Sequence, residues 1–404
     1  MINTFSGTIQ DIAVGIYDGP HATPPESGDG PIFLGIENLT AEGRVDFSKV
    51  RHISEQHFPE WTRRVVPKPG DIVFSYEATL HRYGIIPEGF RGCLGRRLAL
   101  IRPDTSKVDN QFLFYYLLSP KWRGVVESNI ITGATVDRVP LKNFPSFPVQ
   151  MPALDIQKRI ASILSSYDDL IENNRRRIEL LEQASRLLYK EWFVHFRFPG
   201  HEHVKIVDGV PEGWENTIVP GVIEINPKES TQRGNSVRYI PMSSLSETGM
   251  TIGTEEVEIR ENPTSVRFRN GDVLLARITP CLENGKTAFV NILDKDEVAC
   301  GSTEFIVMRG KQVSPYFTYC FARTEELRGH AINSMIGSSG RQRVQVSAFR
   351  DYQVAIPPRD LLESFDEFAF PCFKQIEILQ RENAHLKKAR DLLLPRLMNG
   401  EIAI

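Results

Sequence analysis

Two stretches of this chain repeat each other. VPLKNFPSFPVQMP at Val139–Pro152 and VQVSAFRDYQVAIP at Val344–Pro357 match at an offset of 205 residues, with Val, Phe, Val and Pro at corresponding positions. An arginine stands immediately before each stretch, at Arg138 and Arg343. A repeat of this kind constrains the fold more than any single helix or strand, because each copy must form a similar unit.

A second pair of stretches supports the duplication. GDIVFS at Gly70–Ser75 corresponds to GDVLLA at Gly271–Ala276 at an offset of 201 residues. A Gly-Asp turn followed by an apolar, partly β-branched run predicts a turn that enters a buried strand. Because both pairs occur in the same order at nearly the same offset, we predict an internal pseudo-two-fold repeat.

Each copy continues into a helical pattern in which apolar residues follow the 3,4 alternation of a heptad seam. The first seam contains Ile171, Asn174, Ile178, Leu181, Ser185, Leu188 and Trp192. The second, at an offset of 205, contains Ile376, Leu379, Asn383, Leu386, Arg390, Leu393 and Leu397. Periodicity alone leaves two ordinary amphipathic helices open. Their equal position in the two copies favours long coiled-coil helices, in which Asn174 and Asn383 can fix the register.

Local signals predict where these helices begin and end. Ser165 and Ser166 are typical of the start of a helix, and Pro371 is tolerated in a first turn because the amide there has no intrahelical partner. The second helix is predicted to stop near Pro395, ahead of Asn399–Gly400.

The rest of the chain predicts compact α+β domains, because it is dense in Gly, Pro, Val, Ile and Phe and contains short strand-like runs. A chain of 404 residues is also too long for one ordinary core. We therefore expect a strand-rich domain at residues 1–152, helices at 153–198, a second strand-rich domain at 199–357 and helices at 358–404.

Two features of the composition bear on the compartment. No apolar run approaches the roughly 20 residues that a membrane-spanning helix needs, and the N-terminal residues lack the pattern of a signal peptide. Five scattered cysteines without a CxxC pair predict reduced thiols instead of a disulfide frame or a zinc site. They are Cys93, Cys281, Cys300, Cys320 and Cys372. We expect a cytoplasmic protein without contact with a membrane.

Motifs that suggest catalysis fail on inspection. GKT at Gly285–Thr287 would need a glycine where Pro280 stands, so a phosphate loop is not expected. PDTSK at Pro103–Lys107 lacks a second acid for a metal site and predicts a turn. His201 and His203 flank a glutamate just after a Pro-Gly pair, which is more typical of a solvated linker than of a metal site. We expect no catalytic residue, no metal and no cofactor on this chain.

Positive charge is concentrated locally in a chain of net charge −3, a value that argues against an indiscriminate nucleic-acid binder. Between His81 and Arg102 five arginines face one acid, a local charge of +4. In the second copy GSSGRQRV at 337–344 places arginines after a Gly/Ser turn, a form suited to phosphates or guanine edges. The alternative is solvated or locally paired arginines. The candidate DNA contacts are Arg82, Arg96, Arg97, Arg138, Arg277, Arg341 and Arg343.

Several longer motifs resemble one known family over essentially the whole chain. They are GDGPIFLGIENLTAEGRVDF, GDIVFSYEATLHRYGI, LLYKEWFVHF, GDVLLARITPCLENGKTAFV, GSTEFIVM, GSSGRQRV and RDLLLPRLMNGEI. Together they make the chain similar to the specificity subunit of a Type I restriction-modification system.

This resemblance implies two target-recognition domains that each recognise one half of a bipartite double-stranded DNA target, and an antiparallel pair of helices as spacer. It also implies that the helices dock two modification subunits carrying S-adenosylmethionine, while restriction subunits supply ATP- and Mg-dependent translocation and cleavage. It does not transfer base contacts. Two alternatives stay open: the recognition part of a single-chain restriction-modification enzyme, and a coiled-coil scaffold without a DNA role.

Overall fold

The computed structural model describes residues 4–132, 136–230, 236–261, 265–338, 340–402 and 404. The chain forms two compact units, which we call unit 1 and unit 2. Unit 1 comprises Met1–Ile171 with Ala384–Ile404, and unit 2 comprises Glu172–Asn383. In the described part of the chain, no helix is both long and apolar enough to cross a membrane.

The strands of unit 1 form three sheets. They are β1 (Thr4–Thr8), β2 (Ala13–Asp18), β3 (Ser27–Leu34), β4 (Arg51–His52), β5 (Ile72–Ser75), β6 (Tyr83–Ile85), β7 (Gly92–Leu94), β8 (Leu98–Pro103) and β9 (Pro148–Pro152). The antiparallel order β2-β8-β5-β6 forms the largest sheet, β4-β3-β7 forms a second sheet with β3 and β7 parallel, and β1 pairs with β9. The helices are α1 (Phe58–Trp61), α2 (Asn110–Leu118), α3 (Pro120–Glu127) and the long α4 (Leu154–Tyr189).

Unit 2 repeats this plan. Its helices are α5 (Val219–Val222), α6 (Pro315–Ala322), α7 (Glu325–Asn333) and the long α8 (Arg359–Met398). Its strands are β10 (Ile206–Val207), β11 (Val210–Pro211), β12 (Glu215–Ile218), β13 (Ile223–Ile225), β14 (Ser236–Ile240), β15 (Glu258–Glu261), β16 (Val266–Arg269), β17 (Val273–Ala276), β18 (Thr287–Phe289), β19 (Val298–Gly301), β20 (Phe305–Gly310) and β21 (Gln353–Ile356).

Three sheets of unit 2 have counterparts in unit 1, although one of them has four strands against three and the β10–β11 pair has no described counterpart. The order β13-β20-β17-β18 matches β2-β8-β5-β6, β15-β14-β19-β16 matches the sheet with one parallel pair, and β12 with β21 matches β1 with β9. The strand before each long helix is the one that the sequence repeat predicts, β9 before α4 and β21 before α8. The predicted α+β fold with an internal repeat is therefore correct.

The Gly-Asp pair of unit 1 is a turn that buries a carboxylate at the start of β5. Gly70 has a φ of +86°, which glycine adopts without strain. Asp71 is 2% exposed and accepts the backbone N–H of Lys68 at 2.8 Å. Its two carboxylate oxygens also accept Nε and Nη2 of Arg102, at 2.9 and 2.7 Å. A bidentate pair of this geometry satisfies the buried charge.

Unit 2 builds the same turn before β17. Gly271 has a φ of +89°, and Asp272 is 1% exposed. Arg309 donates Nε and Nη2 to the two oxygens of Asp272 at 2.6 and 2.7 Å, and its third nitrogen, Nη1, to Glu229 at 2.7 Å. The repeated Gly-Asp motif thus encodes a structural ion pair as well as a turn.

The two long helices begin earlier than the local signals predict. Ser165 and Ser166 lie inside α4, where both hydroxyls donate to the carbonyl of Ser162, a bond that lets serine remain in a helix. Pro371 also lies inside α8, which begins at Arg359. Tertiary packing of apolar side chains outweighs these breakers, since Ile160 and Leu164 on α4 and Phe365 and Phe373 on α8 are buried. The predicted starts were wrong.

The predicted end of the second helix near Pro395 is also too early, because α8 continues to Met398. The carbonyl of Pro395 accepts the N–H of Asn399, so the proline lies within the last turn. Gly400 follows with a φ of +71°, the left-handed conformation that commonly ends a helix.

In each unit the two long helices run antiparallel. In unit 2, Asn174 donates its side-chain amide to Oδ1 of Asn383 at 3.1 Å, while Phe193, beyond the end of α4, packs on Phe365 near the start of α8. In unit 1, Asp168 forms an ion pair with Arg390 at 2.5 Å. Leu164 and Leu397, farther along the two helices in opposite directions, lie in one core.

The heptad seams lie on the inner faces of these helix pairs. In unit 2, Asn174, Ile178, Ile376 and Leu379 are buried, and Leu181, Leu188 and Trp192 are half-buried against the same core. In unit 1, Ile171, Leu386 and Leu393 are half-buried. The seams hold the helices together, whereas their docking of partner subunits stays a prediction.

Candidate nucleic-acid interface

The arginines singled out by the repeat lie where two loops of one unit meet beyond the ends of β5 and β8. In unit 1, Tyr76 donates its backbone N–H to the carbonyl of Arg97 at 3.2 Å and accepts that of Val139 at 2.7 Å. Arg138 forms backbone bridges with both Glu77 and Ile131. We call Tyr76, Glu77, Arg97 and Arg138 the unit 1 loop junction.

Unit 2 contains the same backbone arrangement. Arg277 donates its N–H to the carbonyl of Glu304 at 3.0 Å and accepts the N–H of Val344 at 2.8 Å. Arg343 forms backbone bridges with Ile278 and Ile336. Arg277, Ile278, Glu304 and Arg343 therefore form the unit 2 loop junction, each residue at the position of its unit 1 counterpart.

The side chains at these equivalent positions differ in charge. In unit 1 the acid is Glu77, and Nε of Arg97 lies 3.5 Å from its carboxylate. In unit 2 position 77 is replaced by Ile278 and position 97 by Glu304. The repeated arginine is retained in both units, as Arg138 and Arg343.

The repeated arginine consequently has different partners. Arg343 donates Nε and Nη2 to Glu304 at 2.9 and 2.7 Å, and this hydrogen bonding raises the pKa of Arg343. Arg138 is exposed, and the described residues give it no acid partner. Nε of Arg97 and of Arg277 are buried and find no hydrogen-bond acceptor among the described residues. Arg138, which is exposed, and Arg343, which is 41% exposed, are thus the guanidinium groups of the junctions that a ligand can reach.

The remaining candidates lie close to the junctions in sequence. Arg96 is exposed, and its carbonyl accepts the hydroxyl of Tyr76 at 2.9 Å. Arg82 is half-buried, and its backbone pairs with Ser75. Arg341 is exposed in the turn before Arg343. Residues 133–135 and 339, in the loops that precede Arg138 and Arg343, lie outside the described residues.

The expected local charge of +4 is largely cancelled by pairing. Arg91 forms a bidentate pair with Glu55 at 2.5 and 2.6 Å, and Arg102 is bound to Asp71. These acids lie outside the counted stretch, so local counting could not reveal them. Of the five arginines, Arg82 and Arg96 are left without an acid partner among the described residues.

The sequence did not predict two polar or charged residues at or near the unit 1 loop junction, Tyr76 and Arg123. Tyr76 is 5% exposed, and burial together with the nearby Asp18 carboxylate raises its pKa to about 12, so its hydroxyl stays a donor. Arg123 lines a concave pocket of about 280 Å³ with His81 and Arg82. Burial and Arg123 lower the pKa of His81, which therefore adds no charge at neutral pH. No signal in the sequence pairs Arg123 with this loop.

The motifs rejected for catalysis have structural contacts. Nζ of Lys286 in GKT donates to the carbonyl of Met242 at 3.1 Å. Asp104 of PDTSK accepts the backbone N–H and hydroxyl of Ser106, as expected of a turn. His201 and His203 lie 3.3 and 3.8 Å from Glu202. The described residues include no group of three or more His, Cys, Asp or Glu that could hold a metal ion.

Comparison with known proteins shows which family the chain is similar to. A family model for the Type I restriction modification DNA specificity domain matches residues 36–183. The Type I restriction enzyme MjaIX specificity subunit of Methanocaldococcus jannaschii is 25% identical over 88% of this chain and 82% of that protein. The putative type I restriction enzyme MjaX specificity subunit of the same organism is 24% identical over 98% of this chain and 93% of that protein.

A solved structure supports the fold. The crystal structure of the Type-I restriction-modification system S subunit from M. genitalium has a TM-score of 0.54 at 14% identity, and covers 98% of this chain and 96% of that chain. This likeness agrees with the two repeated units and the long helices of the chain, and with relatives that match nearly its full length. The family model and these relatives support a specificity subunit of a Type I restriction-modification system.

Proposed function

We propose that this chain is the DNA-recognition subunit of a Type I restriction-modification complex, and that each unit binds one half of a bipartite target. The observation that carries the proposal is the repeated arginine. Arg138 and Arg343 occupy the same backbone position in the two loop junctions, and both side chains reach the surface, Arg138 exposed and Arg343 41% exposed. Guanidinium groups suit both phosphate oxygens and the O6 and N7 atoms of guanine.

In this proposal the chain binds DNA and catalyses no reaction. Methyl transfer with S-adenosylmethionine is assigned to two modification subunits, and ATP- and Mg-dependent translocation and cleavage to restriction subunits. The complex works in the cytoplasm. The purified chain alone should neither methylate nor cleave DNA, and methyl transfer without another subunit would contradict this part.

The long helices are the proposed docking surface for the modification subunits. Their seam residues pack inward, so the contacts must come from the outer faces. In unit 2, Leu180 and Leu187 on α4 and Ile378 on α8 are 64%, 61% and 48% exposed. Leu180 and Leu187 are seven residues apart and share one face of α4, and exposed apolar surface of this kind is typical of protein–protein contact.

A domain exchange tests the recognition role. Residues 1–152 are replaced by the corresponding domain of a family member with a different target, and methylated sequences are mapped across the host genome. One half of the methylated motif should change, while the half assigned to unit 2 should stay as in the unmodified chain. Change in both halves, or in neither, would contradict recognition by separate units.

A second measurement separates phosphate contacts from base contacts. Loss of a phosphate contact should weaken binding to all sequences and lower the slope of log affinity against log salt by about 1. Arg138→Ala is the test variant. Arg359→Ala is the matched control, since Arg359 is 90% exposed, pairs with Glu363 within α8 and belongs to neither loop junction. Equal slopes in the two variants would remove Arg138 from the interface.

A further inference from the structure

We propose that the residue immediately before β8 and β20 determines how the repeated arginine meets DNA. Glu304 in unit 2 holds Arg343 in one orientation for recognition of a guanine edge. Arg97 occupies this position in unit 1, and leaves Arg138 as a mobile cation for phosphate. This inference rests on the proposed function, and it names the residue that makes the two units differ.

The positional equivalence of Arg97 and Glu304 follows from strand register. Ser75 pairs with Leu98 where β5 meets β8, and Ala276 pairs with Phe305 where β17 meets β20. Arg97 and Glu304 each precede the paired residue by one position. Their carbonyls accept the N–H of Tyr76 and Arg277 respectively. An acid in one unit therefore stands where the other unit has a base.

The geometry of the Glu304–Arg343 pair leaves N–H donors of Arg343 free to contact a base. The carboxylate accepts Nε at 2.9 and 3.0 Å and Nη2 at 2.7 Å, which occupies one side of the guanidinium. Arginine has five N–H donors in a fixed plane, so those of Nη1 and the second of Nη2 remain at its outer end. That end matches O6 and N7 of guanine in a bidentate contact.

Restraint of the arginine also favours specificity. An arginine side chain carries about 2 kcal/mol of rotamer entropy, and a side chain already held in its bound orientation loses less of it on binding. Glu304 is 23% exposed and Arg343 41% exposed, so the pair is positioned by protein yet open on one side.

Unit 1 offers no equivalent restraint. Arg97 in place of the acid brings a second positive charge, and Glu77 lies 3.5 Å from Arg97. Arg138 is exposed without an acid partner among the described residues. A mobile cation contributes to affinity through phosphate and carries no base preference.

The test compares the wild-type chain with Glu304→Gln by selection from a random double-stranded DNA library and by salt titration of binding. In the variant, discrimination for guanine at one position of one half-site should fall about 5- to 150-fold, the range of a lost bidentate contact. Binding to unrelated DNA should not weaken, and its salt slope should steepen by about 1, since Arg343 is released toward phosphate. A folding defect would instead weaken both kinds of binding.

Control variants separate positioning from stability. Glu297→Gln removes an acid of the same exposure, 23%, paired with Arg238 at 3.0 Å elsewhere in unit 2, and should leave the selected sequence unchanged. Glu304→Asp should retain part of the preference. If Glu304→Gln fails to fold, Arg343→Lys tests whether Arg343 recognises the guanine. Lysine keeps the charge without the planar donors, so the guanine preference should disappear at an unchanged salt slope.

The reciprocal exchange tests sufficiency. Arg97→Glu with Glu77→Ile gives unit 1 the residues that unit 2 has at these two positions. It should add a guanine preference at one position of the other half-site while the salt slope becomes shallower. If the wild-type chain selects no sequence, the proposed function itself fails. If it selects a bipartite sequence that Glu304→Gln leaves unchanged, recognition stands and the role of Glu304 is refuted.

Discussion

The buried Asp71–Arg102 pair should contribute far more to stability than the exposed Glu55–Arg91 pair, although both are bidentate and both lie in unit 1. The perturbation is Asp71→Asn, which keeps the size of the side chain and removes its charge. The matched control is Glu55→Gln, because the Glu55 side chain is 62% exposed and that of Asp71 is 3% exposed.

The magnitude follows from what each group loses. Removal of one partner of a buried ion pair costs about 3–5 kcal/mol. Asparagine can still accept the N–H of Lys68, and Arg102, 22% exposed, keeps the carbonyl of Val66 at 3.0 Å. These remaining contacts put the expected cost at the lower end, about 3 kcal/mol. With a urea m-value of about 2 kcal/mol/M, the midpoint should fall by about 1.5 M.

Urea unfolding and hydrogen exchange together measure the effect. Exchange followed by mass spectrometry should accelerate in peptides from β5 and β8, which the pair joins, and stay unchanged in those from β17 and β20. Glu55→Gln should leave both measurements at their wild-type values, since exposed pairs contribute little. If Asp71→Asn and Glu55→Gln have equal midpoints, burial does not decide the strength of these pairs and the reasoning is wrong.

Three further predictions concern individual side chains. The fold lowers the pKa of His81, so the stability that neutral His81 contributes is present above the unfolded pKa of about 6.5 and is lost as pH falls below it. His81→Asn, in which asparagine tolerates the φ of +60°, should flatten the acid side of the profile of stability against pH. An unchanged profile would refute this. In thiol labelling at pH 8, partly exposed Cys281 should react first, whereas burial raises the pKa of Cys93 to about 12, so rapid modification of Cys93 would contradict the fold. Asn174→Leu should lower the free energy of unfolding by about 1 kcal/mol, because it removes the hydrogen bond to Asn383. The double variant with Asn383→Leu should recover that loss. Additive losses in a double-mutant cycle would show that the two amides are not coupled.

The sequence by itself determined the elements whose signals are local or periodic. The matched Gly-Asp turns predicted buried strands, because a left-handed glycine and an apolar run define that structure within a few residues. The 3,4 alternation predicted the seam and the position of Asn174 and Asn383, since a heptad repeat specifies which face of a helix is buried. The offset between the copies predicted the repeated fold and the retained Arg138 and Arg343.

Tertiary structure alone decided which of these signals prevailed and which charges remained. The serines and Pro371 failed to delimit the helices, because burial of Leu164 and Phe373 stabilises turns that local preference would end. Pairing of Arg102 with Asp71 joins residues far apart in sequence, so no local count could predict the neutralisation. Only strand register showed that Arg97 and Glu304 occupy equivalent positions in the two units. Contacts across a sheet depend on strand pairing, which the spacing of residues in the sequence does not specify.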